Sequence, residues 1–407
     1  MATLQLASWA TNLTYANLTT GVLAAANKTF FNWAGCAIGG YARAAPQTAM
    51  NTTLSTFSGP PTSSILGANG SVALDADAQI AALINGIASH VDDYDDTHLE
   101  TIIHPAGPVA SALLAIAEAY GPVTGHDFIT AFIAGVEAEC KLGLSVSPEH
   151  YDVGWHITST VGSVGAAVAV GKLLRLDTTK MQHAIGVAAT QVVGMQEFFG
   201  SDTKSFHIGR AAQGGMLAAL LAQNGYTSSL QALEAKYGWL HVLSNDMTLQ
   251  SGSLDDIKSV ELRVNPEVLI LTGKTDPQTG LEGKFSIYHA AAIGLLYGEA
   301  TPSQFTDDVV KNATVVEMRK KIRVTEDSTV SKAEAYINLG FADGTTKEKH
   351  VQHAKGSIEN PLTDAELQSK FMEQVRLAIG TKRAENAYSA FSNVQGMEDV
   401  SKIRKLF

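Results

Sequence analysis

The chain has 407 residues, of which 45% are hydrophobic and 17% charged, and its formal net charge is −11. This composition predicts a folded protein with two domains, because single hydrophobic cores stop growing at about 250–300 residues. The negative charge excludes nucleic acid and anionic membranes as partners, since both require clustered lysine and arginine.

The two cysteines, Cys36 and Cys140, lack the spacing of a zinc site or a disulfide framework and predict a reducing compartment. The first residues, MATLQLASWATNL, show neither a secretory signal nor an Arg-rich transit peptide. A cytoplasmic location is therefore predicted, with the mitochondrion as the alternative. Apolar stretches at 107–118 and 161–174 are interrupted by polar residues or glycine and predict buried helices, with no membrane span.

Residues 1 to about 245 predict a series of Ala-rich helices punctuated by Gly or Pro. Either Thr124 or Asp127 is predicted to begin one of these helices, and Asp177 another. The glycines of GSVGAAVAVGK (162–172) lie inside a predicted helix and indicate close helix packing, not a nucleotide loop. The predicted helices are 73–98, 106–120, 126–142, 156–174, 177–195 and 207–224.

After about residue 250 the pattern changes to alternating and β-branched residues, which predict strands joined in part by a tight turn at Asp343-Gly344. The fold class is therefore predicted to be mainly α, a large all-helical domain plus a smaller α+β lid domain. The helical domain spans 1–250 and is completed by 362–407, and the lid spans 251–361. The predicted strands are 258–266, 320–327 and 334–352, with helices at 284–298, 303–313 and after Pro361.

HVDDYDDTH (90–98) places four carboxylates between two histidines. Its D-D-x-x-D pattern puts Asp92 and Asp96 on one face of the predicted helix, the arrangement by which helical terpene synthases hold magnesium. Such enzymes carry a second metal motif, and the nearest candidate here, NDMTLQSGS (245–253), lacks its distal acid. No metal site is therefore predicted.

A second helical spacing pairs Asp93 with Thr97 and continues towards His104. An ionised Asp beside a His can act as a base or hold the imidazole in one tautomer, and Thr can donate a hydrogen bond to a substrate carboxylate. These three residues predict one wall of a proton-transfer site. The remaining acids are assigned to helix ends, neighbouring pairs and solvent: Asp92, Asp95 and Asp96.

Two further segments carry candidate site residues. His156 directly precedes a predicted helix start, whose N-terminus favours anions, although a histidine that only caps or packs is the alternative. Lys204, His207 and Arg210 bring three potential cations into seven residues of TKSFHIGR. A small polyanionic substrate would explain these cations, and surface ion pairs are the alternative.

Together these motifs resemble the MmgE/PrpD family, which includes 2-methylcitrate dehydratases and cis-aconitate decarboxylases. The resemblance implies a cofactor-free homodimer with its active site between the helical domain and the lid. It implies catalytic roles for Asp93, His104, His156 and Lys204, and substrate binding by Thr97, His207 and Tyr288, with Lys284 nearby. The resembling segments run in order: LASWATNL, NWAGCAIGG, HVDDYDDTHLETIIHPAGPV, GWHITSTVG, TKSFHIGRAAQGG and LTGKTDPQTGLEGKFSIYHA.

One segment departs from the family. Its members usually carry a KPYPC-type stretch with basic residues before the first lid strand, whereas WLHVLSNDMTLQSGSLDDIKSVELRV runs straight on here. Dehydration and decarboxylation both need a cationic carboxylate clamp and a positioned acid or base. The predicted function is a cofactor-free lyase acting on a small di- or tricarboxylate. The alternatives are an isomerase, epimerase or cyclase with the same site, and a catalytically impaired paralogue.

Overall fold

Helices dominate the structure, which is a computed structural model and describes residues 2–68, 75–99, 101–243, 260–297, 300, 302–340, 346–357 and 359–407. The chain divides into two units. The mainly α fold with a smaller α+β part agrees with the prediction. The first unit comprises Met1–Phe198, Asp202–Thr248 and Leu367–Phe407, and the second comprises Phe199–Ser201 and Leu249–Glu366.

The α-helices, in chain order, are α1 (Ala2–Asn12), α2 (Thr20–Gly40), α3 (Ala44–Thr56), α4 (Ala78–His90), α5 (Ala106–Tyr120), α6 (Gly125–Val146), α7 (Glu149–Asp152), α8 (Ile157–Leu173), α9 (Thr178–Ala189), α10 (Asp202–Gln223), α11 (Trp239–Leu243), α12 (Pro266–Thr272), α13 (Gly280–Gly283), α14 (Ile287–Tyr297), α15 (Asp307–Lys311), α16 (Ala313–Arg319), α17 (Asp364–Ile379) and α18 (Thr381–Phe391). The strands are β1 (Ser63–Ser64), β2 (Asp75–Ala76), β3 (Val260–Val264), β4 (Ile322–Glu326), β5 (Ala335–Gly340) and β6 (Thr346–Val351). None of the helices described combines the length and apolar character that crossing a membrane requires.

Local capping explains where several helices begin. The Thr124 hydroxyl accepts from the backbone N–H of Asp127 at 3.0 Å, so Thr124 is the N-cap of α6. Asp177 caps α9 in the same way, as predicted. Each cap satisfies one of the N–H groups that a helix start leaves without an intrahelical partner.

The predicted helix 73–98 is wrong at both ends. Helix α4 begins after the N-cap Asp77 and ends at His90, so the acidic segment leaves the helix. A helix C-terminus carries partial negative charge, and four carboxylates there would repel it. The chain instead turns, with Asp93 in the left-handed region at a φ of 50°.

Glycines allow α6 and α8 to approach each other closely, as the sequence predicted. A Cβ on Gly135 of α6 would lie 2.7 Å from the Gly165 carbonyl oxygen and 2.7 Å from the Ala169 side chain of α8. Both distances are shorter than ordinary van der Waals contact, so larger residues would separate the two helices.

The C-terminal helices return to the first unit and complete its core. Phe371 of α17 stacks on Phe31 of α2, with ring centroids 4.3 Å apart. Phe391 of α18 belongs to the same buried cluster as Phe30 and Trp33. Residues from the two ends of the chain therefore share one hydrophobic core.

The second unit is built on a four-stranded sheet of order β4-β3-β5-β6. Strands β3 and β4 are parallel, and helices α12 to α16 lie between them in the chain, whereas β5 pairs antiparallel with both β3 and β6. Alternate residues of β3, Val260, Leu262 and Val264, are buried against α14 and α16. The predicted turn at Asp343-Gly344 and the segment 245–253 lie outside the described residues.

We expect Gly86→Ala to destabilise the first unit. A Cβ at Gly86 of α4 would lie 2.6 Å from the Cα of Gly209 on α10. The overpacking costs about 1–3 kcal/mol, which outweighs a gain in helix propensity of about 1 kcal/mol. Urea unfolding followed by circular dichroism should show a lower midpoint. The control is Gly294→Ala in α14, where nothing lies within 4 Å of the added Cβ, and it should be neutral or stabilising. An unchanged midpoint for Gly86→Ala would contradict this packing.

Candidate active site

Four helix ends bring the candidate residues together in the first unit. His90 is the last residue of α4, His104 lies just before α5, His156 is the N-cap of α8, and Lys204 lies in the first turn of α10. The N-termini of α5, α8 and α10 carry partial positive charge, which favours anions. The arrangement suits a ligand with carboxylate groups.

Asp93 and Thr97 approach His104 through a turn, not through a shared helix face as predicted. The Lys204 ammonium donates to Asp93 Oδ1 at 2.7 Å, and the same oxygen lies 3.7 Å from His104 Nε2. On the other side of the ring, Thr97 Oγ1 lies 3.4 Å from His104 Nδ1. The structure thus brings Asp93, Thr97, His104 and Lys204 into one cluster.

Two of the remaining acids anchor the segment that carries Asp93. Asp92 pairs with Arg43 at 3.1 Å, and Asp96 accepts a hydrogen bond from the backbone N–H of Ala106 at 3.1 Å, at the start of α5. Both contacts fall within the prediction that these acids serve helix ends and neighbouring pairs. Each is engaged with a different partner, so the magnesium arrangement of D-D-x-x-D does not form.

Asp95, which was grouped with Asp92 and Asp96 at helix ends, in neighbouring pairs and in solvent, does not lie in solvent. Its side chain is fully buried and lies 2.9 Å from His90 Nδ1 and 3.4 Å from His104 Nδ1. The sequence analysis missed both His90 and Asp95 as site residues. On a helix, residues five positions apart are separated by about 140°, so the helical interpretation put the two on different faces.

The two inner carboxyl groups are ionised. Burial alone would raise the pKa of Asp93, but the Lys204 ammonium, with His90 and His104, outweighs burial and holds that pKa well below its usual range. Burial likewise opposes the charge of Asp95, and the neighbouring imidazoles lower its pKa overall. The cluster therefore contains two carboxylates at neutral pH.

Three nearby imidazoles, those of His104, His156 and His207, are neutral. Burial lowers the pKa of His104 to about 4, although the charges of Asp95 and Asp93 act in the opposite direction. Burial and the positive charge of Lys204 lower the pKa of His156 well below its usual value, and burial lowers that of His207 to about 4. The Nδ1 atoms of His156 and His207 lie 3.0 Å apart, a distance at which one donates and the other accepts.

This corrects the prediction of three cations in TKSFHIGR. Lys204 is buried in the cluster and His207 is buried but neutral. Arg210 is exposed and donates to Gln213, one turn further along α10. One ammonium group, not three cations, therefore faces the inner carboxylates from this segment.

A group of four side chains could hold a metal ion. His90, Asp93, Asp95 and His104 each offer one ligand atom, and these atoms lie within 4.8 Å of one another. The group differs from the Asp92 and Asp96 pair that the sequence suggested. Two imidazoles with two carboxylates form a donor set suited to borderline transition metals.

Tyr288 and Lys284 belong to the second unit, so their predicted proximity to substrate stays a prediction. Tyr288 lies on α14, half-buried against the sheet core, and burial raises the pKa of its phenol. Lys284 lies at the end of α13. Most of the segment where the KPYPC-type stretch would stand, residues 244–259, lies outside the described residues.

Comparison with known proteins gives one family over most of the chain. The MmgE/PrpD N-terminal domain matches residues 4–251, and the MmgE/PrpD C-terminal domain matches residues 240–395. The chain is 27% identical over 385 residues to a cis-aconitate decarboxylase of Mus musculus, covering 80% of this chain and 78% of that protein. A cis-aconitate decarboxylase of Aspergillus terreus is 31% identical over 242 residues, covering 58% of this chain and 48% of that protein.

Helix α6 carries a buried acid that the sequence did not indicate. Glu139 of α6 is fully buried, and neither of its carboxyl oxygens has a hydrogen-bond partner among the described residues. A Cβ at Gly165 of α8 would lie 2.8 Å from one of these oxygens. Burial, helped by the charge of Asp96, raises the pKa of Glu139 well above its usual value. Glu139 is therefore a neutral acid in the folded protein.

We expect Glu139→Gln to change how stability depends on pH. Because the folded pKa is raised, the wild type binds a proton on folding above the unfolded pKa, and its stability falls as pH rises towards the folded value. The free energy of unfolding of the wild type falls by up to about 1.4 kcal/mol per pH unit in this range. Glutamine does not ionise, so the variant does not lose this stability. Urea unfolding between pH 5 and 8 should show a growing advantage for the variant. Glu137→Gln, exposed on the same helix, is the control and should track the wild type. If the free energies of unfolding of Glu139→Gln and the wild type changed in parallel with pH, Glu139 would be ionised in the folded protein.

Proposed function

The chain belongs to the MmgE/PrpD family and is a lyase, and we propose that its substrate is a small di- or tricarboxylate. The reaction is a decarboxylation of the cis-aconitate type or a dehydration of the 2-methylcitrate type. The relatives named cis-aconitate decarboxylase favour the first of these.

One observation carries the proposal: a buried ammonium–carboxylate pair lies beside neutral imidazoles where three helices begin. Lys204 and Asp93 form the pair, and His104 lies 3.7 Å from the shared Asp93 oxygen. Such a site offers positive charge to substrate carboxylates and a proton carrier next to them. Both are required for either reaction.

Binding of the substrate uses Lys204 and the helix N-termini as the carboxylate clamp. A substrate carboxylate replaces part of the interaction between Lys204 and Asp93. His156, at the start of α8, is buried with its ring centroid 5.9 Å from that of His90, and it stabilises charge that develops in the transition state. Thr97, His207 and Tyr288 are the proposed hydrogen-bonding partners of the substrate.

Proton transfer is assigned to His104, with Asp93 as its orienting partner or as a base. In decarboxylation, loss of carbon dioxide leaves an electron pair on carbon, and this carbon must receive a proton. In dehydration, a base removes the proton next to a carboxylate and an acid protonates the departing hydroxyl. A bound polyanion favours the charged imidazolium and raises the pKa of His104 from about 4, which prepares the ring to donate.

We propose that the reaction needs no cofactor and that the enzyme is a cytoplasmic homodimer. The residues of the cluster supply the acid, base and cation that both reactions require. The two cysteines are free and buried, which fits a reducing compartment. The dimer rests on the family resemblance, and sedimentation equilibrium would measure it.

The substrate is tested by incubating the purified protein separately with cis-aconitate and with 2-methylcitrate. Release of carbon dioxide from the first identifies a decarboxylase, and appearance of an unsaturated tricarboxylate from the second identifies a dehydratase. We expect carbon dioxide release. Inactivity with both compounds, in a folded protein, would favour an isomerase, epimerase or cyclase, or an impaired paralogue.

We expect His104→Ala and His156→Ala each to abolish turnover while leaving the fold intact. Loss of a positioned acid or base typically removes about 10²–10⁴-fold in rate. Turnover of the active substrate and circular dichroism are measured for both variants. His241→Ala, which removes an exposed histidine elsewhere in the same unit, is the control. Wild-type activity in both variants would overturn the assignment.

A further inference from the structure

We propose that His90, Asp93 and His104 form a binding site for a borderline transition-metal dication such as Zn²⁺. The ion would occupy the position towards which Lys204 extends. Occupation would block the reaction, so the ion is an inhibitor and takes no part in turnover. The binding site stands on geometry alone, and the inhibition rests on the proposed function.

One carboxylate orients both imidazoles. Asp95 faces both rings on the same side, at 2.9 Å from His90 Nδ1 and 3.4 Å from His104 Nδ1. A carboxylate accepts hydrogen bonds, so it favours a proton on each Nδ1 and a lone pair on each Nε2. A carboxylate behind a metal-binding histidine fixes the ring and its tautomer in the same way.

The two Nε2 atoms lie near one carboxylate oxygen of Asp93. His90 Nε2 lies 3.8 Å and His104 Nε2 3.7 Å from the same oxygen, Oδ1 of Asp93. His90 Nε2 is fully buried and has no hydrogen-bond partner among the described residues. Three potential ligand atoms therefore converge, and a metal ion among them would satisfy the buried lone pair of His90.

The distances between these ligand atoms are close to those of a zinc site. Zinc binds imidazole nitrogen and carboxylate oxygen at about 2.0–2.2 Å, so neighbouring ligand atoms in a tetrahedral site lie about 3.4 Å apart. The two distances of 3.7 and 3.8 Å need to close by only a few tenths of an ångström. Water or a substrate carboxylate can fill the fourth position.

The Lys204 ammonium now provides the nearest positive charge, 2.7 Å from Asp93 Oδ1. A dication competes with it for that oxygen and also gains two nitrogen ligands. Two nitrogens and one carboxylate oxygen favour zinc or cobalt over magnesium, which prefers oxygen ligands in octahedral geometry. Occupation would also engage the His104 lone pair that proton transfer requires.

Isothermal titration of Zn²⁺ into the full chain at pH 7, in a buffer that does not bind metal, tests the site. We expect one ion per chain and no comparable heat with Mg²⁺. His90→Gln should weaken binding at least tenfold, and Asp95→Asn should weaken it about 10–100-fold by releasing both rings. Circular dichroism establishes that each variant is folded, and the d–d absorption of bound Co²⁺ reports nitrogen ligation in the wild type.

Equal Zn²⁺ affinity in the wild type and a folded His90→Gln variant would overturn the site, as would equal binding of Mg²⁺ or no one-to-one binding. His241→Gln, in which an exposed histidine is removed, should bind as the wild type does. Calorimetry needs no substrate, so its outcome is independent of the proposed reaction. In an active preparation, reversible inhibition by Zn²⁺ that EDTA relieves supports the second half of the proposal, and full activity at saturating Zn²⁺ would overturn it.

Discussion

The ion pair between Asp93 and Lys204 is the interaction on which the candidate site depends. Lys204 is 6% exposed, so its charge has left water and requires a partner. Removing one member of a buried pair typically costs about 3–5 kcal/mol, because the other charge is left uncompensated. This requirement fixes the segment after α4 against the start of α10. The same positive charge, with burial, keeps His156 and His207 neutral.

The ion pair between Asp93 and Lys204 requires a rigid backbone around Asp93. Four separate contacts hold the acidic segment that follows α4. Arg43 holds Asp92, His90 holds Asp95, the first N–H of α5 holds Asp96, and the Lys370 ammonium donates to the Tyr94 carbonyl oxygen at 2.6 Å. The left-handed backbone at Asp93 is sustained because its neighbours on both sides are fixed. Most of the charge in HVDDYDDTH therefore positions one carboxylate.

Sequence patterns predicted the helices and caps that depend on interactions within a few residues. Helices α5, α6, α8 and α9 follow from periodicity and from caps such as Thr124 and Asp177, which act within a few residues. The end of α4 was missed because continuous helical spacing was extended through charges that oppose a helix C-terminus. His90 and Asp95 were missed because the helical interpretation put them on different faces, and Glu139 was missed because its burial depends on contacts with another helix, α8. His156 and Lys204 were candidates from their sequence context, the family resemblance implied their catalytic roles, and those roles stay predictions.

The contact between Lys370 and Tyr94 joins residues 276 positions apart. During synthesis the N-terminal helices leave the ribosome long before α17. Phe31 and Gly35 therefore cannot pack against the Phe371 ring until α17 has been synthesised. The acidic segment gains its last anchor at the same moment. The first unit thus matures after the second has been translated, which couples completion of the site to completion of the chain.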